Sequence, residues 1–237
     1  MTAKKFWYGA GDVLDRIMTL LFLLLLFLSA YSLYDTIKVY DRANDKTLLQ
    51  YKPKLLDDGT VDDSHNLPGS VAWLTINDTT IDYPIMQAED NTKYLNTDPY
   101  GKASITGSIF LDARNAADFS DSFNLIYGHH VEGKTIFGAL DEFADQSYLE
   151  SHSSGTLIVG KTVYKLHPFA LCTVSQRNDD VFGHPETTSV SDVGTIIQND
   201  SVALTEHNSR LRIVALSTCK ADPSDSDNRT ILFCTIE

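Results

Sequence analysis

The sequence predicts a mainly β domain with a few helices set among short strands, preceded by one apolar helix. Three observations carry this. Short runs of β-branched and aromatic residues bounded by turn residues recur from residue 71 onward, helical periodicity is confined to a few stretches, and residues 17–34 (IMTLLFLLLLFLSAYSLY) carry no charge. Many short strands with few helices favour a β-barrel or sandwich with helical insertions.

The elements follow in order. Residues 1–16 are a short flank holding Lys4, Lys5 and Arg16. The uncharged stretch 17–34 meets the lower length limit for a transmembrane helix, with Trp7, Tyr8, Tyr31 and Tyr34 near its ends as interfacial aromatics. Ala30-Tyr31-Ser32 is a poor cleavage signal, so a retained anchor is expected rather than a cleaved leader. Lys38, Arg42 and Lys46 nearly balance the basic residues before the span. The brevity of the N-terminal flank then places that flank in the cytoplasm and the remaining domain outside. Residues 35–69 form a linker, with one or two helices over 35–56 and a polar loop over 57–69.

The compact domain occupies 70–237. It opens on a hairpin, VAWLTI (71–76) against TIDYPI (80–85), with Pro84 at an edge or strand end. Further strands are expected at 107–111, 123–127, 156–159, 162–166 and 169–174, with Gly160-Lys161 as a two-residue turn. Apolar residues at helical spacing predict a helix over 135–148, and a second lies within 191–199. Strands at 211–216 and 230–236 close the domain around a polar loop.

Charge and cysteine content narrow the chemistry. From residue 35 onward 16 basic side chains face 30 acidic ones, a net −14 that repels phosphate backbones and argues against nucleic acid as a partner. Three cysteines cannot all pair within one chain, and none shows a C-x-x-C spacing. Cys172 (FALCTV) and Cys234 (ILFCTI) sit inside apolar strands and read as core. Cys219 instead ends the apolar run RIVALST and opens the polar loop KADPSDSDN, where strand rigidity meets solvent access.

A catalytic thiol needs a base to favour the thiolate and later an acid for the leaving group. His129 and His130 follow the strand NLIYG, and on a continuing strand only one of two adjacent rings enters a given site. Arg229 opens the last strand across the loop from Cys219, where its guanidinium fork would suit an oxyanion or a carbonyl. A pairing of Arg229 with Asp222, Asp225 or Asp227 stays open at this stage, as does a core role for Cys219.

The combination Tyr127-Gly128-His129, Leu216-Ser217-Thr218-Cys219 and Arg229 resembles the histidine, cysteine and arginine motifs of sortases, the membrane-anchored cysteine transpeptidases of Gram-positive bacteria. YGHH followed by TIFGALDEF, the LSTC tetrapeptide and the helix-bearing stretch between residues 174 and 210 are most similar to class B, and the similarity extends over about residues 71–236. The resemblance implies an eight-stranded β-barrel with N-terminal helices and a helix between late strands. It also implies an enzyme of the cysteine peptidase class, with Cys219 as nucleophile, His129 as acid and base, and Arg229 holding substrate and oxyanion. Asn91, Leu95, Tyr127, Ser217 and Thr218 would line the substrate groove. The implied partners are exported proteins bearing a C-terminal sorting motif, an amine acceptor on a peptidoglycan precursor or a pilin lysine, and membrane lipid around the anchor. No cofactor and no metal are implied. Asp222, Asp225 and Asp227 lack the glycine and terminal glutamate of a calcium loop, and adjacent histidines on a strand diverge rather than share zinc. Lys220-Ala221 and Pro223 depart from the usual loop after the cysteine. A tethered cysteine protease using water, and a non-catalytic surface binding module, are the rival readings.

Overall fold

In the computed structural model the backbone is described for residues 3–43, 45–208, 210–219 and 227–237, and side chains for 13–38, 45–208, 210–218 and 227–237. The chain forms two compact units, Met1–Arg42 and Ala43–Glu237. The first is helix α1 (Ala3–Ala43), of which Val13–Lys38 is long and apolar enough to cross a membrane, with a mean hydropathy of 2.2. The helix runs past the expected boundary at residue 34, because DTIKVYDRA changes the polarity of the helix without containing a helix breaker.

The second unit begins with a 3-10 helix, Lys46–Tyr51, capped by the Asp45 side chain on the Thr47 amide. The expected polar loop over 57–69 holds half of a small two-stranded pair, β1 (Lys54–Leu55) with β2 (Val61–Asp62). The barrel is built from β3 (Ser70–Ile76), β4 (Asp82–Met86), β5 (Phe110–Leu111), β6 (Phe123–Tyr127), β9 (Gly155–Val159), β10 (Thr162–Ser175), β12 (Arg212–Cys219) and β13 (Asn228–Ile236). Between them lie the hairpin β7 (His130–Val131) with β8 (Thr135–Ile136), helices α2 (Gln146–Ser151), α3 (Asp179–Phe182) and α4 (Val190–Asp200), and strand β11 (Ser201–Leu204).

The barrel closes in the order β9, β3, β4, β5, β6, β12, β13, β10, with β10 returning to β9. The pairs β4–β5 and β6–β12 are parallel and the rest antiparallel. Closure depends on the length of β10, whose first part pairs with β9 and whose remainder pairs with β13, Leu166 facing both Gly155 and Ile236. The two strands expected at 162–166 and 169–174 are therefore one. Pro168 does not divide them because it sits at a register shift against β13, where a missing N–H is tolerated. Pro84 has the same freedom inside an interior strand, since β4 meets β5 only at the Met86–Phe110 pair.

Odd and even positions of β12 and β13 serve two different cores. Val214, Leu216, Leu232, Cys234 and Ile236 belong to the cluster filling the barrel, whereas Ile213, Ala215, Ile231 and Phe233 pack in a second cluster with Val193, Ile196 and Ile197 of α4. Burial on both faces is why RIVALST and ILFCTI read as continuous apolar runs rather than alternating ones.

The helix expected over 135–148 is corrected to three pieces: β8, a 3-10 helix (Phe137–Ala144) and α2. The break falls at Asp145, whose carboxylate accepts from the Ser147 and Tyr148 amides and so starts a new helix instead of continuing the old one. The other expected helix, within 191–199, is α4, closed at its start by a Ser189–Asp192 capping box.

Candidate active site

Strands β6 and β12 run parallel, Tyr127 opposite Ser217, and the Gly128 amide extends the ladder to the Ser217 carbonyl at 3.1 Å. On the other side of β12, Cys219 is the register partner of Arg229 on β13. These strand ends surround a cavity of about 280 Å³ lined by Asn91, Leu95, Phe110, Tyr127, Gly128, His129, Ser217, Thr218 and Arg229. The cavity thus gathers His129, Arg229 and all five residues expected to bind substrate. The Cys219 side chain, and the loop containing Lys220, Ala221, Asp222, Pro223 and Asp225, lie outside the described residues.

Gly128 has no room for a side chain, since a Cβ would lie 2.6 Å from the Phe137 ring. The strand end is held against the 3-10 helix, and the Phe137 amide donates to the His129 carbonyl at 3.3 Å. His129 is half-buried on the cavity, and burial lowers its pKa and favours the neutral ring. His130 departs into β7, where its Nε2 lies 2.7 Å from an Asp141 carboxylate oxygen. The two rings therefore serve different surroundings.

Arg229 donates to the Asn228 carbonyl at 3.0 Å and to the Gln176 side-chain oxygen. Asp227 accepts from Gln176 at 3.0 Å and from Arg177 at 3.3 Å. Thr218 is buried, and its hydroxyl has no hydrogen-bond partner among the described residues. Cys172 and Cys234 are free and buried in the two cores. Burial, with the nearby Asp200 charge, pushes the Cys172 thiol up to about 12, and burial alone pushes Cys234 up strongly, so neither offers a thiolate.

Sequence reasoning does not single out Phe110 or Asp112. Phe110 tilts against Tyr127, ring centroids 5.3 Å apart, and supplies the apolar floor. Asp112 is fully buried just behind the cavity. Burial raises its pKa, but two hydrogen bonds and the charge of Arg114, with the Tyr127 hydroxyl, outweigh this and hold the carboxyl below its ordinary value. Tyr127 is shifted the other way, first by burial and then by the Asp112 charge. The available signal is an aspartate ending the apolar run SIFL with an arginine two residues on.

Among the described residues no group of three or more His, Cys, Asp or Glu stands in an arrangement that holds a metal ion. The described residues thus present a half-buried neutral histidine, an arginine across a strand pair from a cysteine, and a narrow apolar cleft, a set suited to acyl transfer through a thiol.

No family model matches the chain. Sortase B of Listeria monocytogenes is 33% identical over 168 residues, covering 68% of this chain and 67% of that protein. Sortase B of Staphylococcus aureus is 28% identical over 181 residues, covering 70% and 69%. Among solved structures, a class B sortase of Streptococcus pyogenes involved in pilus biogenesis superposes with a TM-score of 0.64 at 34% identity, covering 71% of this chain and 92% of that one. The barrel is that of a sortase, a cysteine transpeptidase. Within that class, the chain belongs to the class B sortases.

Proposed function

We propose that the chain cleaves a C-terminal sorting pentapeptide of exported proteins after its threonine and transfers the acyl group to an amine. Neutral His129 takes the proton of the Cys219 thiol, and the resulting thiolate attacks the threonine carbonyl and forms a tetrahedral oxyanion next to the Arg229 guanidinium. His129 then protonates the departing amine, leaving a thioacyl enzyme. An incoming amine gives its proton to His129 as it attacks the thioester, and Cys219 is released with a new amide bond formed. Asn91, Leu95, Tyr127, Ser217 and Thr218 hold the peptide in this reading. The observation that carries it is the convergence of His129 and Arg229 on one cavity, with Cys219 in register with Arg229.

The acceptor is an amine of a peptidoglycan precursor or of a pilin lysine. The glycine-type amine is supported by a solved complex of a sortase B with triglycine, 27% identical to this chain, and the pilin reading by the pilus role of the S. pyogenes enzyme. The stretch Val13–Lys38 supports a single-pass anchor, with a cytoplasmic N-terminus and an extracellular catalytic domain. Mass spectrometry of the protein incubated with candidate sorting peptides tests the chemistry. An acyl adduct on Cys219, discharged to a ligated product by glycine or a diaminopimelate-type amine, is expected. Release of free acid alone in the presence of amine would make the enzyme a protease.

A further inference from the structure

Asp112 makes four side-chain interactions at one fully buried carboxylate. Arg114 grips it with two bonds, Nε to Oδ1 at 2.9 Å and Nη2 to Oδ2 at 2.8 Å. Oδ2 also accepts from Asn91 Nδ2 at 2.9 Å and from the Tyr127 hydroxyl at 3.0 Å. The other end of the Asn91 amide accepts from the Ala113 amide at 2.7 Å, so both ends of that side chain are fixed by the segment carrying Asp112. Asn91 and Tyr127 line the cavity while Asp112 does not.

Arg114 extends the arrangement outward. Its Nη2 donates to the Phe182 carbonyl at 3.0 Å and its Nη1 to the Gly183 carbonyl, at the end of α3. The same connection between β10 and α4 supplies Gln176 to Arg229. Residues 176–189 are therefore tied to the cavity at two points, once at Arg229 and once through Arg114 to Asp112.

We propose that Asp112 is a positioning residue of the transpeptidase: it orients Asn91 and Tyr127 for the peptide and, through Arg114, holds the α3 connection against the cavity. The charge is what the role requires. Four side-chain donors converge on Asp112, and a carboxylate accepts all of them, whereas an amide would set its NH2 either against Arg114 Nε and the Arg114 backbone amide at Oδ1 or against three side-chain donors at Oδ2. The proposal rests on the peptide-binding role given above to Asn91 and Tyr127.

The test is Asp112→Asn in the full-length protein in detergent micelles, with Asp82→Asn as control. Asp82 is another carboxylate accepting several donors, Lys52 at 2.8 Å, Trp73 at 2.7 Å and Thr75 at 2.9 Å, and it lines no part of the cavity. Two measurements are made. The first is peptide turnover on fluorogenic peptides varied around a central threonine, using whichever the unaltered enzyme cleaves best. A KM raised about tenfold with kcat within about threefold is expected for Asp112→Asn, and neither change for Asp82→Asn. An unchanged KM, or a loss confined to kcat, overturns the proposal. The second is amide hydrogen exchange, which needs no substrate: faster exchange in peptides covering 88–97 and 179–189 is expected only in Asp112→Asn, and unchanged exchange there overturns the positioning role. If the unaltered enzyme cleaves no peptide, the peptidase reading falls, and exchange alone decides for or against the role of Asp112.

Discussion

At positions 129 and 130 the backbone turns from the end of β6 into β7, so one ring meets the cavity and the next meets Asp141. His129→Ala should lower transpeptidation by at least about 100-fold while His130→Ala stays within about fivefold, measured as kcat/KM. The reverse ranking would transfer the acid–base role to His130. Cys219→Ala should leave no turnover, and Arg229→Lys should cost about 10- to 100-fold, because an ammonium presents a point charge where the guanidinium presents a planar fork. Burial lowers the His129 pKa below the ordinary value of about 6.5, so the unfolded chain binds the proton more readily and stability falls as pH drops through that value. His129→Gln should therefore lose less Tm between pH 7.5 and pH 5.5 than the unaltered protein, by calorimetry. An equal loss would show that burial at this ring has no linkage to folding.

Among the elements, two glycines, one just before the histidines and one after the β7–β8 hairpin, are held at close quarters. A Cβ at Gly128 would meet the Phe137 ring at 2.6 Å, and at Gly138 it would lie 1.9 Å from the Val131 carbonyl oxygen. The closer contact at Gly138, made on backbone rather than on a side chain, should make Gly138→Ala more destabilising than Gly128→Ala, on the order of 3 against 1–2 kcal/mol, in thermal unfolding. Equal losses would mean that the β7 hairpin yields as easily as a side chain. These positions also show what was legible in sequence. The strands of the hairpin, β6, β12 and β13 were readable because each is long enough to show an apolar run with turn residues beside it. The two-residue strands β1, β2, β7 and β8 were not, because two residues have no period, and of the strand expected over 107–111 only β5, Phe110–Leu111, forms. Cys219, His129 and Arg229 stood out because catalytic residue types fell at strand ends. Asp112 did not, because its importance comes from Asn91 and Tyr127, which are 21 and 15 residues away in sequence.

For the molecule as a whole, residues from Ala43 onward form a compact unit with their own cores, and α1 forms the other. A chain starting at Ala43 should stay soluble, unfold in one cooperative transition and hydrolyse peptide with kcat/KM within about threefold of the full chain, while losing partition into liposomes. Loss of the folded state on that truncation would show that α1 contributes to the domain beyond tethering it.

The placement of β13 orders events in time as well as space. It follows every other strand in sequence, yet it lies between β12 and β10, and its residues enter both cores. Until that segment has been synthesised, β10 and β12 have no neighbour to join them and the barrel stays open. An apolar N-terminal helix, by contrast, is complete hundreds of ångströms of extended chain earlier. The apolar helix is thus complete while the domain is still unfolded, and the cavity beside Arg229 first exists only after the last strand has been made.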